Sequence, residues 1–484
     1  MANTSVAPEK ADNGSTQRRL RGSLGVAAIV FIVVAAASPL GVIGGPVPLG
    51  IAFGNGAGFP FTYVIATVVL LLFAVGFTAA TPFVKSAGAF FAYVDKGLGR
   101  GPGIGAAFVA LFSYLTLEAA VFGLFGPGLN GLLQTWGVPD VPWWIYAIAG
   151  LVIAGVLGYF HIEISGRVLA VLLVLEVVIV LALDFVVVFL NGGGPEGYSN
   201  GIFNLADITS GAPGFGILFA ILSFIGFEAT AIFRDEAKNP ERTIPRATYI
   251  SLILIGVFYA VSSWVLVSAN GQSKVVGIAS ENYGTLLADT TTQYLGKVGG
   301  DIIQVLFVTS LFACILSFHN IVSRYLFALS AKRVLPHGLS QPHKRFGSPS
   351  RASVTTAIAV LVLIVLAVVL NLDAIAQYYT WLAGISSVGI VLLLAITSVS
   401  VIAIFAKDKH NLSPWKTIVA PVLSLIGLLV FLFLILQNLP ALLVENDGAA
   451  WAYGPGSWIV LALLVLAFIA GPIFAAIKKD VEVE

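Results

Sequence analysis

The chain has 484 residues, of which 58% are hydrophobic and only 10% are charged, and its mean hydropathy is +0.97. Soluble domains contain roughly 45–50% apolar and about 25% charged residues. This composition therefore excludes an ordinary soluble enzyme, a disordered chain and a disulfide scaffold. The charges nearly cancel, with 25 Lys and Arg against 24 Asp and Glu, so nothing indicates a nucleic-acid partner. The single cysteine, Cys314, excludes an intrachain disulfide.

Twelve apolar runs follow one another along the chain, each long enough to cross a bilayer, for which a helix needs about 20 mostly apolar residues. The predicted spans cover residues 24–53, 59–83, 104–133, 143–160, 166–190, 214–233, 246–269, 299–330, 352–370, 374–405, 415–437 and 457–477. The first run is too long for a signal peptide, and we interpret it as a retained span. The pattern predicts an all-α integral membrane protein with 12 transmembrane helices.

Lys and Arg residues are distributed unequally between the two sides of the predicted bundle. With twelve spans both termini lie on one side, which carries 22 of these residues, whereas the other side carries only Lys274 and Lys297. Arg324 lies inside the eighth span. Cytoplasmic loops are enriched in Lys and Arg. We therefore predict a multi-pass protein of the plasma (inner) membrane with both termini cytoplasmic.

Spans one and six contain residues that interrupt a helix. Span one has Pro39 followed by Gly41, and span six has Gly226 at the centre of the segment Ser223–Ala229. Irregular backbone at membrane depth is tolerated only where it lines a cavity or is buried in protein. Matching interruptions in two halves of a chain point to the binding site of a transporter, here with spans 1–5 and 6–10 as an inverted repeat. The alternative interpretation is a pair of kinks without function.

Several ionisable residues fall within the predicted spans, where they are costly and by default functional candidates. They are Glu118, Glu176, Asp184, Glu228, Arg324 and His319. Three of the carboxyl groups, those of Glu118, Glu176 and Glu228, lie near mid-depth, whereas Asp184 lies nearer the outer end and can reach water. A mid-depth carboxyl group could carry a proton or hold a substrate amine, and this excess of acid favours a cationic group on the substrate. The alternative for each is a protonated side chain bonded to a neighbouring helix.

No motif of a metalloprotease, a phosphate-binding loop, a serine hydrolase or a paired CxxC metal site occurs in the sequence. We therefore expect no enzymatic activity, no metal site and no cofactor. A channel needs a selectivity ring, and a receptor needs a large extramembrane domain; neither is evident. An aromatic group, Tyr378, Tyr379 and Trp381, begins the tenth span and is explained equally by an interfacial belt or by a gate.

The segment Ser223–Ala247, SFIGFEATAIFRDEAKNPERTIPRA, resembles a signature of the amino acid–polyamine–organocation (APC) superfamily permeases. That signature runs from a Gly-Phe-Glu break through an acidic pair and Lys-Asn-Pro to Ile-Pro-Arg-Ala. The segments Ser86–Gly103 and Thr309–Pro336 are similar to two further stretches of these permeases, one after helix two and one in helix eight. The resemblance covers roughly residues 24–430.

The resemblance implies the leucine-transporter type of fold, a 5+5 inverted repeat with two extra helices. It divides the chain into a disordered cytoplasmic tail (1–20), a transport core of helices 1–10 (21–410), two additional helices (411–477) and a cytoplasmic C-terminal tail (478–484). It also implies that the two breaks bind the α-carboxylate and α-amino groups of a substrate. When these breaks are located in this sequence and the mid-depth Glu118 is added, the expected substrate-binding residues are Ser38, Pro39, Leu40, Gly41, Glu118, Phe224, Ile225, Gly226, Phe227 and Glu228.

Two positions depart from the pattern of these permeases. The usual Gly-x-Gly run of helix one is replaced by Ser38-Pro39-Leu40-Gly41, and a lysine that several relatives have in helix five is replaced by Glu176. Glu176 is expected to bind a proton directly, with Glu228 and Ser317 in the same coupling group. The alternative is a Na⁺ site formed by Glu176, carbonyl groups of the first break and Ser317.

These features predict a secondary active transporter that imports amino acids or related amines across the plasma membrane by alternating access, coupled to protons. The alternatives are an exchanger of an amino acid for its amine product, a polyamine permease of the same fold and, more remotely, a channel. The expected partners are the small-molecule substrate, a proton and the lipid bilayer.

Overall fold

Helices form the fold throughout the ranges that the computed structural model describes, which are residues 24–84, 89–160, 166–228, 230, 237–408 and 411–477. In chain order they are α1 Val26–Ala36, α2 Pro39–Gly44, α3 Pro46–Leu49, α4 Phe59–Ala80, α5 Ala89–Leu98, α6 Arg100–Thr135, α7 Trp143–Phe160, α8 Gly166–Phe185, α9 Leu205–Ile208, α10 Pro213–Leu222, α11 Pro240–Asn270, α12 Val275–Asn282, α13 Leu286–Ala331, α14 Ser350–Val369, α15 Thr380–Lys407, α16 Ala420–Gln437, α17 Leu439–Leu442 and α18 Pro455–Ile477. Short wider or tighter helical turns adjoin them, including Gly50–Asn55, Val186–Leu190, Ala374–Tyr379 and Trp415–Val419.

Eleven of the described helical stretches are long and apolar enough to cross a membrane, and they match eleven of the twelve predicted spans. The remaining span, predicted at 214–233, is represented by α10 and the turn after it, whereas residues 229 and 231–236 lie outside the described ranges. The all-helical membrane architecture is thus confirmed. The count of twelve and the inverted repeat stay predictions, and the two predicted tails, 1–20 and 478–484, also lie outside the described residues.

Four described helices, α5, α9, α12 and α17, lie between the predicted spans. We call the side of the bundle that carries α9 and α12 the outer side and the opposite one the inner side, in keeping with the charge distribution. Helix α13 begins at Leu286, before the predicted start at residue 299, but Gly296 interrupts its helical backbone with φ 75°. Because only glycine adopts such a conformation readily, the spanning part of α13 begins after Gly296, close to the prediction.

Helix α6 lies at the centre of the bundle and packs against α5, α7, α13, α15 and α18. Its contact with α18 brings two backbones together, since a Cβ added to Gly471 would lie 2.0 Å from the backbone nitrogen of Gly105. Small residues permit this close approach of helices in membranes, where packing replaces the hydrophobic effect as the driving force. Helix α6 is therefore held on several sides and can position side chains for a site.

Candidate substrate and coupling sites

The first span is interrupted between α1 and α2, where buried Ser38 has a left-handed backbone conformation with φ 49°. Proline donates no backbone hydrogen bond and disfavours helical backbone in the preceding residue, so Pro39 separates the two helices. The hydroxyl oxygen of Ser38 lies 2.7 Å from that of Ser310 on α13. The carbonyl oxygen of Ala37 accepts a 3.1 Å hydrogen bond from the Tyr259 hydroxyl on α11. Neighbouring helices thus hold both sides of this break.

The sixth span is interrupted after Leu222, where α10 ends and the turn Ser223–Glu228 begins. Gly226 has φ 113°, a conformation that residues with a Cβ rarely adopt. The Glu228 carboxyl group accepts a 2.9 Å hydrogen bond from the Gly226 N–H and a second one from the Tyr114 hydroxyl on α6. We call the bond between Tyr114 and Glu228 the inner latch, because it ties the broken span to α6.

A cavity of about 50 Å³ lies between the two breaks. One water molecule requires at least about 10–15 Å³, so in this closed conformation the cavity has room for a few water molecules and must widen to admit an amino acid. It is lined by Ala36, Ala37, Ser38, Gly41, Val42, Pro46, Leu117, Val121, Leu124, Leu222, Ser223, Ile225, Leu311, Cys314, Phe318 and Tyr379. These described residues contribute apolar side chains, a thiol, a few hydroxyl groups and the backbone of the breaks, and none of them is Asp, Glu, Lys, Arg or His.

Three of the predicted substrate-binding residues, Ser38, Gly41 and Ile225, line this cavity. Pro39, Leu40, Gly226 and Glu228 belong to the two breaks but are not part of the lining. The structure therefore brings both predicted breaks to one cavity. The remaining predicted substrate-binding residues do not line it.

The two phenylalanines of the second break pack away from the cavity. The Phe224 ring lies 6.4 Å from the ring of Tyr63 and 6.3 Å from that of Tyr259, centroid to centroid. The Phe227 ring is perpendicular to that of Phe73 at 6.0 Å. Both side chains are buried, and in this conformation they serve packing and do not cover a substrate.

Glu176 on α8 lies against the first break. Its carboxyl group accepts a 2.7 Å hydrogen bond from the Ser310 hydroxyl and another from the backbone N–H of Leu40. Ser38 reaches the same network through Ser310. The hydroxyl group beside Glu176 is thus that of Ser310, whereas Ser317, about two turns or roughly 10 Å farther along α13, donates to a carbonyl oxygen of its own helix.

Glu118 lies outside the cavity, in a buried cluster that we call the Glu118 junction. Glu118 Oε1 lies 2.7 Å from His319 Nδ1, and His319 Nε2 lies 2.8 Å from Ser353 Oγ. A Cβ at Gly158 on α7 would lie 2.9 Å from the His319 ring and 2.8 Å from Ser353 Oγ. The junction therefore connects α6, α13 and α14 beneath a glycine of α7, and the structure does not bring Glu118 together with the predicted substrate-binding backbone.

An aromatic layer closes the inner side of the cavity. The Tyr114 ring stacks on that of Phe318 at 6.2 Å and lies 5.6 Å from the ring of Tyr325. Phe91 of α5 meets Tyr325 edge-on at 6.1 Å. Because Phe318 also lines the cavity, this layer and the inner latch separate the cavity from the inner side.

The sequence-based prediction omitted Ser310, Cys314 and Phe318 on α13, which follow one another at intervals of four residues and so share a helix face. This four-residue spacing is the feature of the sequence that could have indicated a cavity-lining face. Apolar faces that only pack against other helices have the same periodicity, so the spacing does not distinguish the two. Tyr379 comes from the aromatic group that begins the tenth span, and its buried ring lies at the cavity. Its hydroxyl forms no hydrogen bond with the described residues.

Comparison with known proteins identifies the family of this chain. A family model described as amino acid permease matches residues 24–469. The branched-chain amino acid permease of Lactococcus lactis is 26% identical over 64% of this chain and 68% of its own length. The probable GABA permease of Pseudomonas aeruginosa is 30% identical over 47% of this chain and 49% of its own.

The aromatic amino acid transport protein of Escherichia coli K12 is 26% identical over 53% of this chain and 57% of its own length. The aligned segments thus span about half to two thirds of these relatives. The match of the family model extends over most of the chain, including both breaks and the first part of α18. The chain belongs to the amino acid permease family of the APC superfamily.

Proposed function

We propose that the chain is a secondary active transporter that imports neutral amino acids with apolar side chains across the plasma membrane, by alternating access and coupled to protons. In this proposal the spans form a 5+5 inverted repeat with two additional helices, and both termini are cytoplasmic. One observation carries the proposal: the two interrupted spans meet at a small cavity, and none of the described residues that line it is charged.

The backbone of the breaks supplies the groups that an amino acid needs. Carbonyl groups are left open where a helix ends and N–H groups where one begins, which favours an ammonium and a carboxylate respectively. Helix α1 ends at the cavity through Ala37, α2 begins there through Gly41, and α10 ends there at Ser223. These backbone groups can bind the α-amino and α-carboxylate groups of a substrate without any ionised side chain.

The rest of the lining favours an apolar substrate side chain. Leu117, Val121, Leu311 and Phe318 surround the cavity, and burying apolar surface contributes roughly 25 cal/mol per Å². A second ammonium group would find no carboxylate there, which argues against a polyamine and against the cationic substrate that the excess of buried acid suggested. The names of two relatives, a branched-chain amino acid permease and an aromatic amino acid transport protein, fit this class.

The two carboxyl groups proposed for proton coupling each contact one break. Glu176 accepts hydrogen bonds from Leu40 of the first break and from Ser310 of α13, and Glu228 joins the second break to Tyr114. Protonation removes the charge that these donors satisfy. A proton at either group therefore changes how tightly a broken span is bound to its neighbours. The same oxygen atoms beside Glu176 make Na⁺ the alternative coupling ion.

Cys314 provides a direct test of the substrate class, because it is the only cysteine of the chain and lines the cavity. In the purified protein, a bound substrate should slow the reaction of this thiol with a small methanethiosulfonate. We expect protection by alanine, valine or leucine and none by lysine or putrescine. The variant Cys314→Ser supplies the unlabelled control. Protection by putrescine or lysine alone would contradict the proposed substrate class.

Proteoliposomes test the coupling and separate the alternatives. Uptake driven by an inward pH gradient into vesicles without internal amino acid supports proton symport, and uptake driven only by a Na⁺ gradient would assign Na⁺ instead. Uptake that requires internal amino acid or amine identifies an exchanger, and a flux that does not saturate identifies a channel. Glu176→Gln should abolish the response to the gradient and retain counterflow, which moves no net proton.

A further inference from the structure

Asp184 is a buried carboxyl group that the proposed cycle does not use. It lies on the outer half of α8 and is largely shielded, with 7% of its surface exposed. The Ser262 hydroxyl on α11 donates a 2.7 Å hydrogen bond to its Oδ2. No Lys, Arg or His among the described residues forms an ion pair with it. Burying a carboxyl group with one hydroxyl donor and no cation costs free energy. Such a group within a membrane span is therefore a candidate for a function.

The position of Asp184 relates it to Glu176. The two residues are eight positions apart on α8, which places Asp184 about 12 Å closer to the outer side. Ser262 faces Asp184, and Tyr259 lies one turn deeper on the same helix α11. Tyr259 is fully buried, its hydroxyl donates to Ala37 O at the first break, and its surroundings include the carboxyl group of Glu176. The Ser262 hydroxyl thus lies at the outer carboxyl group, and the Tyr259 hydroxyl lies at the first break, near the central one.

The other elements packed against α8 bring few competing groups. The described parts of α1 and α2 contain no titratable side chain, and α13 presents Cys314 next to Glu176. Farther out on α13, Lys297 and Asp301 pair with each other at 2.9 Å. In the part of the chain that the structure describes, Asp184 is therefore not held by a charge partner, and its hydrogen bond to Ser262 positions it without neutralising it.

We propose that Asp184 is the outer relay for the coupled proton, accepting it from the outer solution and passing it inward to Glu176 past Ser262 and Tyr259. This inference rests on the proposed proton coupling at Glu176. In the transfer, Asp184 loses one proton and Glu176 gains one. Each hydroxyl group, or a water molecule beside it, releases one proton for each that it receives and ends unchanged.

The test compares two kinds of flux for Asp184→Asn in proteoliposomes. Asparagine keeps the volume of the side chain and can still accept the Ser262 hydrogen bond, but it cannot carry a proton. We expect uptake driven by a pH gradient to slow at least tenfold, while counterflow at equal pH and protection of Cys314 by substrate stay within about twofold of the parent. Asp184→Glu, which restores a carboxyl group, should recover more of the gradient-driven uptake than asparagine allows.

Three results would overturn the relay. They are parental gradient-driven uptake by Asp184→Asn, loss of counterflow in a folded Asp184→Asn protein, and a glutamate variant no faster than the asparagine one. The first and the third result would mean that the Asp184 side chain only links α8 to α11 through its hydrogen bond with Ser262. Absence of any pH-gradient response in the parent protein would instead refute the coupling proposal itself, so the two failures are distinguishable.

Discussion

Removing the Tyr114 hydroxyl should open the inner side of the cavity. In Tyr114→Phe, the Glu228 carboxyl group loses the hydrogen bond from α6 and keeps the one from the Gly226 N–H. When the Glu228 carboxyl group is ionised, this hydrogen bond contributes roughly 1.5–3 kcal/mol. Since about 1.4 kcal/mol corresponds to a factor of ten, the equilibrium should shift toward the inward-open state by roughly 10- to 150-fold.

Labelling of Cys314 in inside-out vesicles with a membrane-impermeant thiol reagent measures this shift, because the reagent must cross the aromatic layer to reach the cavity. Tyr325→Phe is the matched control. Its ring lies 5.6 Å from that of Tyr114, but its buried hydroxyl has no hydrogen-bond partner among the described residues. We expect faster labelling in Tyr114→Phe only.

Two results would refute this reasoning in different ways. Labelling of Tyr114→Phe at the parental rate would show that the inner latch does not hold the cavity closed. Equal acceleration in Tyr114→Phe and Tyr325→Phe would show that loosening of the aromatic layer, and not loss of the hydrogen bond, opens the path.

Three further variants, one of them paired with a control, test packing, backbone conformation and a charged contact in a thermal-shift assay. Gly158→Ala should lower stability by about 1–3 kcal/mol, because the added methyl group meets the Glu118 junction at less than 3 Å; Gly155→Ala, with its nearest contact at 3.6 Å, should leave Tm unchanged. Gly226→Ala should cost about 1–3 kcal/mol through its φ of 113°, since the site has space for a Cβ. Although burial opposes it, hydrogen bonds from the start of α18 hold the pKa of Glu445 below its usual value. Its contribution to stability is therefore present at neutral pH and lost as the pH falls through the lowered pKa, and Glu445→Gln should flatten the acid side of the Tm–pH profile.

The two breaks could be predicted from the sequence because local rules cause them. A proline inside a span removes a backbone hydrogen-bond donor at any position, as Pro39 does, and Gly226 permits a backbone conformation that other residues avoid. The positions of the long helices follow equally from apolar length, since the bilayer imposes it on each span independently. These features need no knowledge of which helices are neighbours.

The partners of the buried carboxyl groups could not be predicted in the same way. Helical periodicity places Glu118 one turn from Tyr114, yet the former meets His319, 201 positions away, and the latter meets Glu228. Likewise Ser310 and Ser317 share a helix face, and only the depth of α13 relative to α8 decides which of them reaches Glu176. Pairing and depth depend on the packing of distant segments.

The glycine contact between α6 and α18 has a consequence for biogenesis. Most of the chain separates Gly105 from Gly471, so the two backbones that nearly touch in the folded protein are inserted into the membrane far apart in time. Until α18 arrives, that face of α6 is open to lipid or to other spans, as happens to late-forming contacts in large chains. Helix α6, which positions Tyr114 and Leu117, thus acquires its contact with α18 last. During that interval cellular quality control can act on a chain in which only this contact of α6 is missing.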